Sequence, residues 1–226
     1  KDVPDIRSLV KLAQRIKAKP ESFSKVGEGR SIAMLFFNSS LRTRISTDMA
    51  AAKLGMHRVS MNVNSDSWGL EFEDGAIMDA NNAEHIKEAA PVVGNFADIL
   101  AVRSFPGLED RTLDYSEHIM QSFLKYSGKP LLSMESSTLH PLQSLADIMT
   151  IRELFPQKKE LKVVLRWAPH PRKLPQAVPN SFAQWMTAVE DVNLHISHPE
   201  GFELHSDYAQ KGILSHDPKE GIKDAD

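Results

Sequence analysis

None of the 226 residues is a cysteine, which excludes a disulfide framework, a thiolate-built zinc finger and a thiol nucleophile together. There is no surplus of positive charge either. The 27 Lys and Arg residues face 30 Asp and Glu residues, for a net charge of −3, so the chain carries no electrostatic footprint for nucleic acid and no polybasic membrane patch. No apolar run approaches the roughly 20 residues that a membrane-spanning helix needs, and the opening Lys1-Asp2-Val3-Pro4 does not read as a secretion signal. Internal repeats and low-complexity tracts are missing. So are the glycine fingerprints G-x-x-x-x-G-K-[ST] and G-x-G-x-x-G, which counts against a nucleotide P-loop or a dinucleotide fold. The 41% hydrophobic and 25% charged fractions are otherwise ordinary, and the length suits one or two domains. The expectation is a cytoplasmic enzyme or binding protein. The chain does not start with Met and ends on the polar stretch Gly221-Ile222-Lys223-Asp224-Ala225-Asp226 with no closing apolar element, the marks of a piece of something longer.

What is present is an alternation of short apolar runs with amphipathic ones. Helices are expected over residues 5–18 (stopped by Pro20), 43–54 (with Gly55 as C-cap), 83–93, 114–126, 142–155 and 182–189. Strands are expected over 31–37, 57–63, 97–102, 130–134, 163–167 and 192–197. Strands separated by helices of about ten residues imply right-handed βαβ crossovers and parallel sheets. In such sheets ligands gather at the carboxyl ends of strands, so the residues just after each strand are those to inspect.

Four strand ends carry polar chemistry. Asn38-Ser39-Ser40-Leu41-Arg42-Thr43-Arg44 runs from an apolar strand into a helix. With Ser39 or Ser40 as N-cap, the first-turn amides, the hydroxyls and Arg42 would make a phosphate cradle; the plainer alternative is a capped helix with solvated arginines. Arg103 ends a second apolar strand, where a guanidinium either pairs with a buried acid or holds an anion. After a third strand, His140 and Gln143 flank Pro141 and Leu142, three apart and so on one face of a helix start. Imidazole and carboxamide together can polarise a carbonyl oxygen and orient its amide; the alternative is a capping or core histidine. The fourth is a stretch with four prolines within residues 169–179, stiff because each ring fixes φ, which places His170 for recognition. Trp68, in the polar loop Ser65-Asp66-Ser67-Trp68-Gly69, is either a half-exposed anchor or an interface residue. His195, His198 and His205 cluster in sequence, but no H-E-x-x-H or comparable ligand set exists, and residues three apart on a strand face opposite sides. No metal and no cofactor are expected.

Taken together these segments resemble the transcarbamylases (the aspartate/ornithine transcarbamylase family). Ser40-Leu41-Arg42-Thr43-Arg44 matches the family's S-x-R-T-R phosphate motif, and His140-Pro141-Leu142-Gln143-Ser144-Leu145-Ala146-Asp147 its H-P-x-Q-x-x-x-D motif. The stretch from Trp167 to Ser181 resembles the signature of the branch that carbamoylates N-acetylornithine or N-succinylornithine. The resemblance implies an α/β protein of two domains, each with a central parallel sheet flanked by helices, the second incomplete at its carboxyl end. Residues 1–139 would bind carbamoyl phosphate and residues 140–226 the acylornithine, with 141–155 as linker helix. By motif, Ser40, Leu41, Arg42 and Thr43 would hold the phosphate, and Arg103 would add a second positive contact. Trp68 would reach into a neighbour's site in a homotrimer. His140 and Gln143 would bind the carbamoyl group, and Glu135 and His170 would face the acylornithine.

The implied function is transfer of the carbamoyl group to the δ-amine of an N-acylated ornithine in arginine biosynthesis, with Arg42 and His140 as catalytic residues. At the acyl-selecting position, aligned with Ala83, acetyl users resemble one another in carrying Glu and succinyl users in carrying Pro. Alanine offers room and no repulsion of a second carboxylate, which favours succinyl. The family's H-C-L-P loop and the branch's carboxylated lysine find no match and would lie beyond Asp226, and a molecule ending there is expected to be inactive. The alternatives are an ordinary ornithine carbamoyltransferase and a non-catalytic carbamoyl-phosphate-binding protein.

Overall fold

In the computed structural model, which describes residues 3, 5–79, 82–168, 170, 174–209 and 211–226, the first unit is built on six strands: Ser31–Phe36 (β1), His57–Asn62 (β2), Gly69–Glu71 (β3), Asn82–His85 (β4), Ile99–Arg103 (β5) and Leu131–Glu135 (β6). Among residues that the sequence reading singled out, Lys1, Asp2, Pro4, Ala80, Asn81, Pro169, Pro171, Arg172 and Lys173 lie outside the described residues. Four of the strands form one parallel sheet in the order β2-β1-β5-β6. From β1 the chain moves to one side for β2 and then to the other for β5 and β6. The order therefore reverses between β1 and β5, and at such a switch point a crevice opens at the carboxyl ends.

Apart from Ser31 and Arg103 at their ends, both central strands are apolar, as burial on two faces demands. Ile32 to Phe36 and Leu100 to Val102 are all 5% exposed or less. Helices cover both faces: Arg42–Lys53 (α2, following Ile6–Ala18, α1), Ile86–Phe96 (α3), Arg111–Tyr115 (α4) and His118–Tyr126 (α5). Leu35, Ile86, Leu100, Val102 and Phe123 form one core, and Ile32, Met34, Phe36, Ala101 and Met134 another on the opposite face.

The second unit comprises Thr138–Asp226 together with α1 up to Arg15. The first unit thus runs from Ile16 to Ser137, whereas the boundary expected from sequence lies after residue 139, with all of α1 in the first domain. Contacts explain the placement of α1: Val10, with Ile6 and Leu9, packs into the core of Ile148, Trp185, Met186, Leu194 and Ile196. Leu161–Arg166 (β7), Val192–Ser197 (β8) and Ile213–Ser215 (β9) form its parallel sheet in sequential order. Its helices are Pro141–Leu154 (α6), Ala177–Met186 (α7), Ser206–Ala209 (α8) and Pro218–Ile222 (α9).

The expected parallel α/β layers are therefore present, with local corrections. Residues 83–85 are strand and not helix, because His85 is extended (φ −85°, ψ 146°) and its ring accepts the Lys87 amide as the N-cap of α3. The helix expected over 114–126 is two, broken where Glu117 takes φ 55°, and α4 starts on Asp110, whose carboxylate accepts from the Thr112 and Leu113 amides. Helix α7 begins five residues before the expected Phe182 and takes in Pro179. Proline costs no hydrogen bond in a first turn, where amides lack intrahelical acceptors, so the stiff Pro-rich loop is shorter than expected. The short pieces β3, β9, α8 and α9 and the 3-10 turn Pro20–Phe23 had no counterpart in the sequence reading.

Candidate active site

At the switch crevice the turn after β1 carries the S-x-R-T-R residues. The capping residue by backbone geometry is Leu41 (φ −88°, ψ −60°), which offers no side-chain acceptor. The role passes to Ser40, whose Oγ accepts from the Thr43 amide at 3.2 Å. The other first-turn amides of α2 have no intrahelical acceptor, and the helix dipole adds partial positive charge there. Arg42 is exposed, and its side chain has no hydrogen-bond or ion-pair partner among the described residues. Arg44 differs. Its guanidinium lies 4.5 Å over the Phe36 ring and donates to Asn62 Oδ1, so it braces the turn against β2.

Arg103 is committed as well. A one-residue register shift between β5 and β6 at Val102/Arg103 sets Glu135, and not Met134, opposite it. Its Nε and Nη2 donate to Glu135 Oε2 at 3.2 and 3.0 Å, and each residue is only 7% exposed. Burial pushes the Glu135 carboxyl above the ordinary range, opposed by the adjacent guanidinium. Of the two readings for Arg103, the pairing with a buried acid is the one observed. Its Nη1 also donates to the carbonyls of Ser39 (2.9 Å) and Asn38 (3.3 Å), and its guanidinium stacks 4.2 Å from the Phe105 ring. Asn38 closes the circuit, its Oδ1 accepting from the Phe105 amide at 2.7 Å. Asn38 was not assigned a role from sequence. An asparagine directly after an apolar strand is the available signal, since its side chain can satisfy backbone groups that the sheet no longer pairs.

Trp68 precedes β3 and is 58% exposed. Its indole N–H donates to Glu84 Oε2 at 2.8 Å. The β3–β4 register pairs Gly69 with Asn82 and Leu70 with Glu84, so Ala83 is the skipped residue of a β-bulge, and it is exposed.

In the second unit His140 is the N-cap of α6 (φ −128°, ψ 73°), with Pro141 opening the helix as its ready-made φ favours. The residues leading to it are pinned: Asn180 Nδ2 donates to the Thr138 carbonyl at 3.2 Å, and Thr138 is 1% and Asn180 0% exposed. Asn180 also went unassigned from sequence. The available signal is an asparagine set directly after the apolar Ala177-Val178-Pro179 at the start of a helix, since a buried carboxamide needs a polar partner. Gln143 Nε2 donates to Asp147 Oδ1 at 2.9 Å, one turn along the same helix. His170 lies beyond β7 and is exposed. No three His, Asp or Glu side chains come together as a metal site among the described residues.

Six of the sequence-predicted residues, Ser40, Leu41, Arg42, Thr43, Arg103 and Glu135, thus meet at the ends of β1, β5 and β6. His140 and Gln143 share the start of α6 in the other unit, while Trp68 sits beside β4. Residues 2–153 match the family described as aspartate/ornithine carbamoyltransferase, carbamoyl-P binding domain. The chain is 46% identical over 225 residues to an N-succinylornithine carbamoyltransferase of Bacteroides thetaiotaomicron, covering 100% of this chain and 70% of that protein. It is 37% identical over 226 residues to an N-acetylornithine carbamoyltransferase of Xylella fastidiosa, covering 93% of this chain and 67% of that one. A crystal structure of an N-acetyl-L-ornithine transcarbamylase point mutant, complexed with carbamyl phosphate and N-succinyl-L-norvaline, superposes with a TM-score of 0.91 at 34% identity, covering 98% of this chain and 70% of that one. The chain belongs to the aspartate/ornithine carbamoyltransferase family, in its N-acylornithine branch.

Proposed function

We propose that this protein transfers the carbamoyl group of carbamoyl phosphate to the δ-amine of N-succinylornithine, giving N-succinylcitrulline and phosphate, a step of arginine biosynthesis. One observation carries the reading: of the three arginines at the switch crevice, Arg42 alone is uncommitted, and it stands on the open first turn of α2. An anion-binding site needs an unpaired cation beside unsatisfied amides.

Carbamoyl phosphate is an activated acyl donor with a good leaving group, so no covalent enzyme intermediate is required. The work is to neutralise the dianion, align the amine with the carbonyl carbon and stabilise the developing oxyanion. Ser40, Leu41, Arg42 and Thr43 hold the phosphate, on a turn that Arg103, paired with Glu135, braces through the Ser39 and Asn38 carbonyls. His140 and Gln143 take the carbamoyl group, with His140 and Arg42 facing the oxyanion. Glu135 and His170 serve the acylornithine. The departing phosphate accepts the proton that the attacking amine loses. Trp68 completes a neighbouring copy's site in a cytoplasmic homotrimer.

Ala83 supports the succinyl choice, since it presents no carboxylate to repel a succinyl group and is exposed on its bulge; the higher identity to the succinylornithine relative points the same way. Assays with carbamoyl phosphate and, side by side, ornithine, N-acetylornithine and N-succinylornithine test this. The succinyl substrate is expected to lead by about 10-fold or more, the scale of one pocket contact, and His140→Ala to lower turnover by about 10²-fold or more. Product from free ornithine alone would overturn the branch assignment. Donor binding with no product from any of the three by the full-length protein would overturn the enzyme reading.

A further inference from the structure

Asp147 closes the H-P-x-Q-x-x-x-D motif and has no part in the scheme above. It is half-buried, and among the described residues its carboxylate has one polar partner, Gln143. It caps no helix and joins no ion pair there. Burial pushes its carboxyl above the ordinary aspartate value, with the Gln143 bond alone pulling back. A group that costs desolvation and returns a single hydrogen bond, from an uncharged carboxamide, is a poor stabiliser, so its use is to be sought in what it does to that partner.

Gln143 sits at the third position of α6, where glutamine commonly folds back towards the N-cap amide. Here it points forward, one helical turn, to Asp147. A carboxamide is chemically two-faced: its NH2 donates and its oxygen accepts. An ionised carboxylate accepts only, so it admits one of the two orientations.

We propose that Asp147 is a positioning residue that locks the Gln143 carboxamide with its NH2 turned inward and its Oε1 presented to the donor's NH2 group. This rests on the carbamoyl-phosphate reading and sharpens it. Without Asp147 the carboxamide can rotate and set NH2 against NH2. The lock therefore selects a carbamoyl donor over an acyl phosphate of the same shape that lacks the amide.

The test is calorimetry of the intact chain with two ligands, carbamoyl phosphate and acetyl phosphate, which carries a methyl group where the other carries NH2. Asp147→Asn keeps the shape but both donates and accepts, so it leaves either orientation open; Asp147→Ala is the second variant should the first fail to fold. Both are expected to weaken carbamoyl phosphate by roughly 3- to 10-fold, the worth of one neutral hydrogen bond, and to leave acetyl phosphate unchanged. In a Gln143→Ala background, Asp147→Asn is expected to add nothing. Equal losses for both ligands, no loss for either, or additivity with Gln143→Ala would overturn the proposal. Wild-type protein that fails to bind carbamoyl phosphate at all would instead overturn the functional reading beneath it.

Discussion

Strands β1 and β5 are neighbours along their whole length, yet their two ends are built on opposite rules. At the amino end Asp98 gathers the Ser31 amide (2.8 Å), the Ser31 hydroxyl (3.0 Å) and Arg30 (3.1 Å). Arg30 and Asp98 are 67% and 35% exposed there, so water screens the pair and the arrangement is worth little. At the carboxyl end Arg103 and Glu135 pair with side chains 9% exposed, while Arg42, a few residues past β1, stands in solvent without a protein partner among the described residues. One end spends its charges on closing the sheet. The other buries one cation as a brace and leaves a second exposed and unpaired among the described residues, as the proposed binding role requires.

The sharpest way to break this comparison is to remove the brace. Arg103→Met leaves Glu135 buried without its cation and is expected to destabilise the first unit by about 3–5 kcal/mol, read as a drop in the urea midpoint. A loss below about 1 kcal/mol would mean that the pair is water-screened like its counterpart at the amino end. Arg42→Ala should behave in the reverse manner, with stability within about 0.5 kcal/mol of wild type. Turnover should fall about 10²- to 10³-fold, and carbamoyl-phosphate affinity about 10- to 100-fold. Unchanged affinity by calorimetry would show that the exposed cation serves something else.

The smallest effect belongs to Asp98→Asn. Hydrogen bonds from Ser31, and then Arg30, hold the Asp98 carboxyl below its ordinary value. A carboxyl lowered in the folded state contributes stability above its unfolded pKa of about 3.9 and loses it as the pH falls through the folded value. The variant should therefore melt at a lower temperature than wild type at pH 7, and the gap should close below about pH 4. A gap that persists at pH 2 would place the effect in packing and not in charge.

Much of this layout was legible in the sequence because apolar runs mark buried parallel strands whatever surrounds them. β1, β5 and β6 fell within a residue or two of expectation, and the polar segments after them proved to be strand ends. What stayed hidden depends on partners distant in the chain. Three arginines near strand ends, Arg42 and Arg44 in the first turn of α2 and Arg103 closing β5, have three different fates, and that of Arg103 is decided by Glu135, a residue 32 positions later. A register shift of one residue brings that carboxylate opposite, and no local pattern carries such information. The break between α4 and α5 was invisible for a related reason: Glu117 takes a left-handed conformation in a run that is otherwise helical in character.

The skipped position on β4 has a consequence for how such a protein changes over time. Every other residue of that short strand is answerable to a cross-strand neighbour, whereas Ala83 holds no rung of the ladder. A new side chain there therefore alters the surface it projects from while the pairing of β3 with β4 stays as it was. Natural variation can retune what the surface admits through a single codon, with the indole next to it still moored to Glu84.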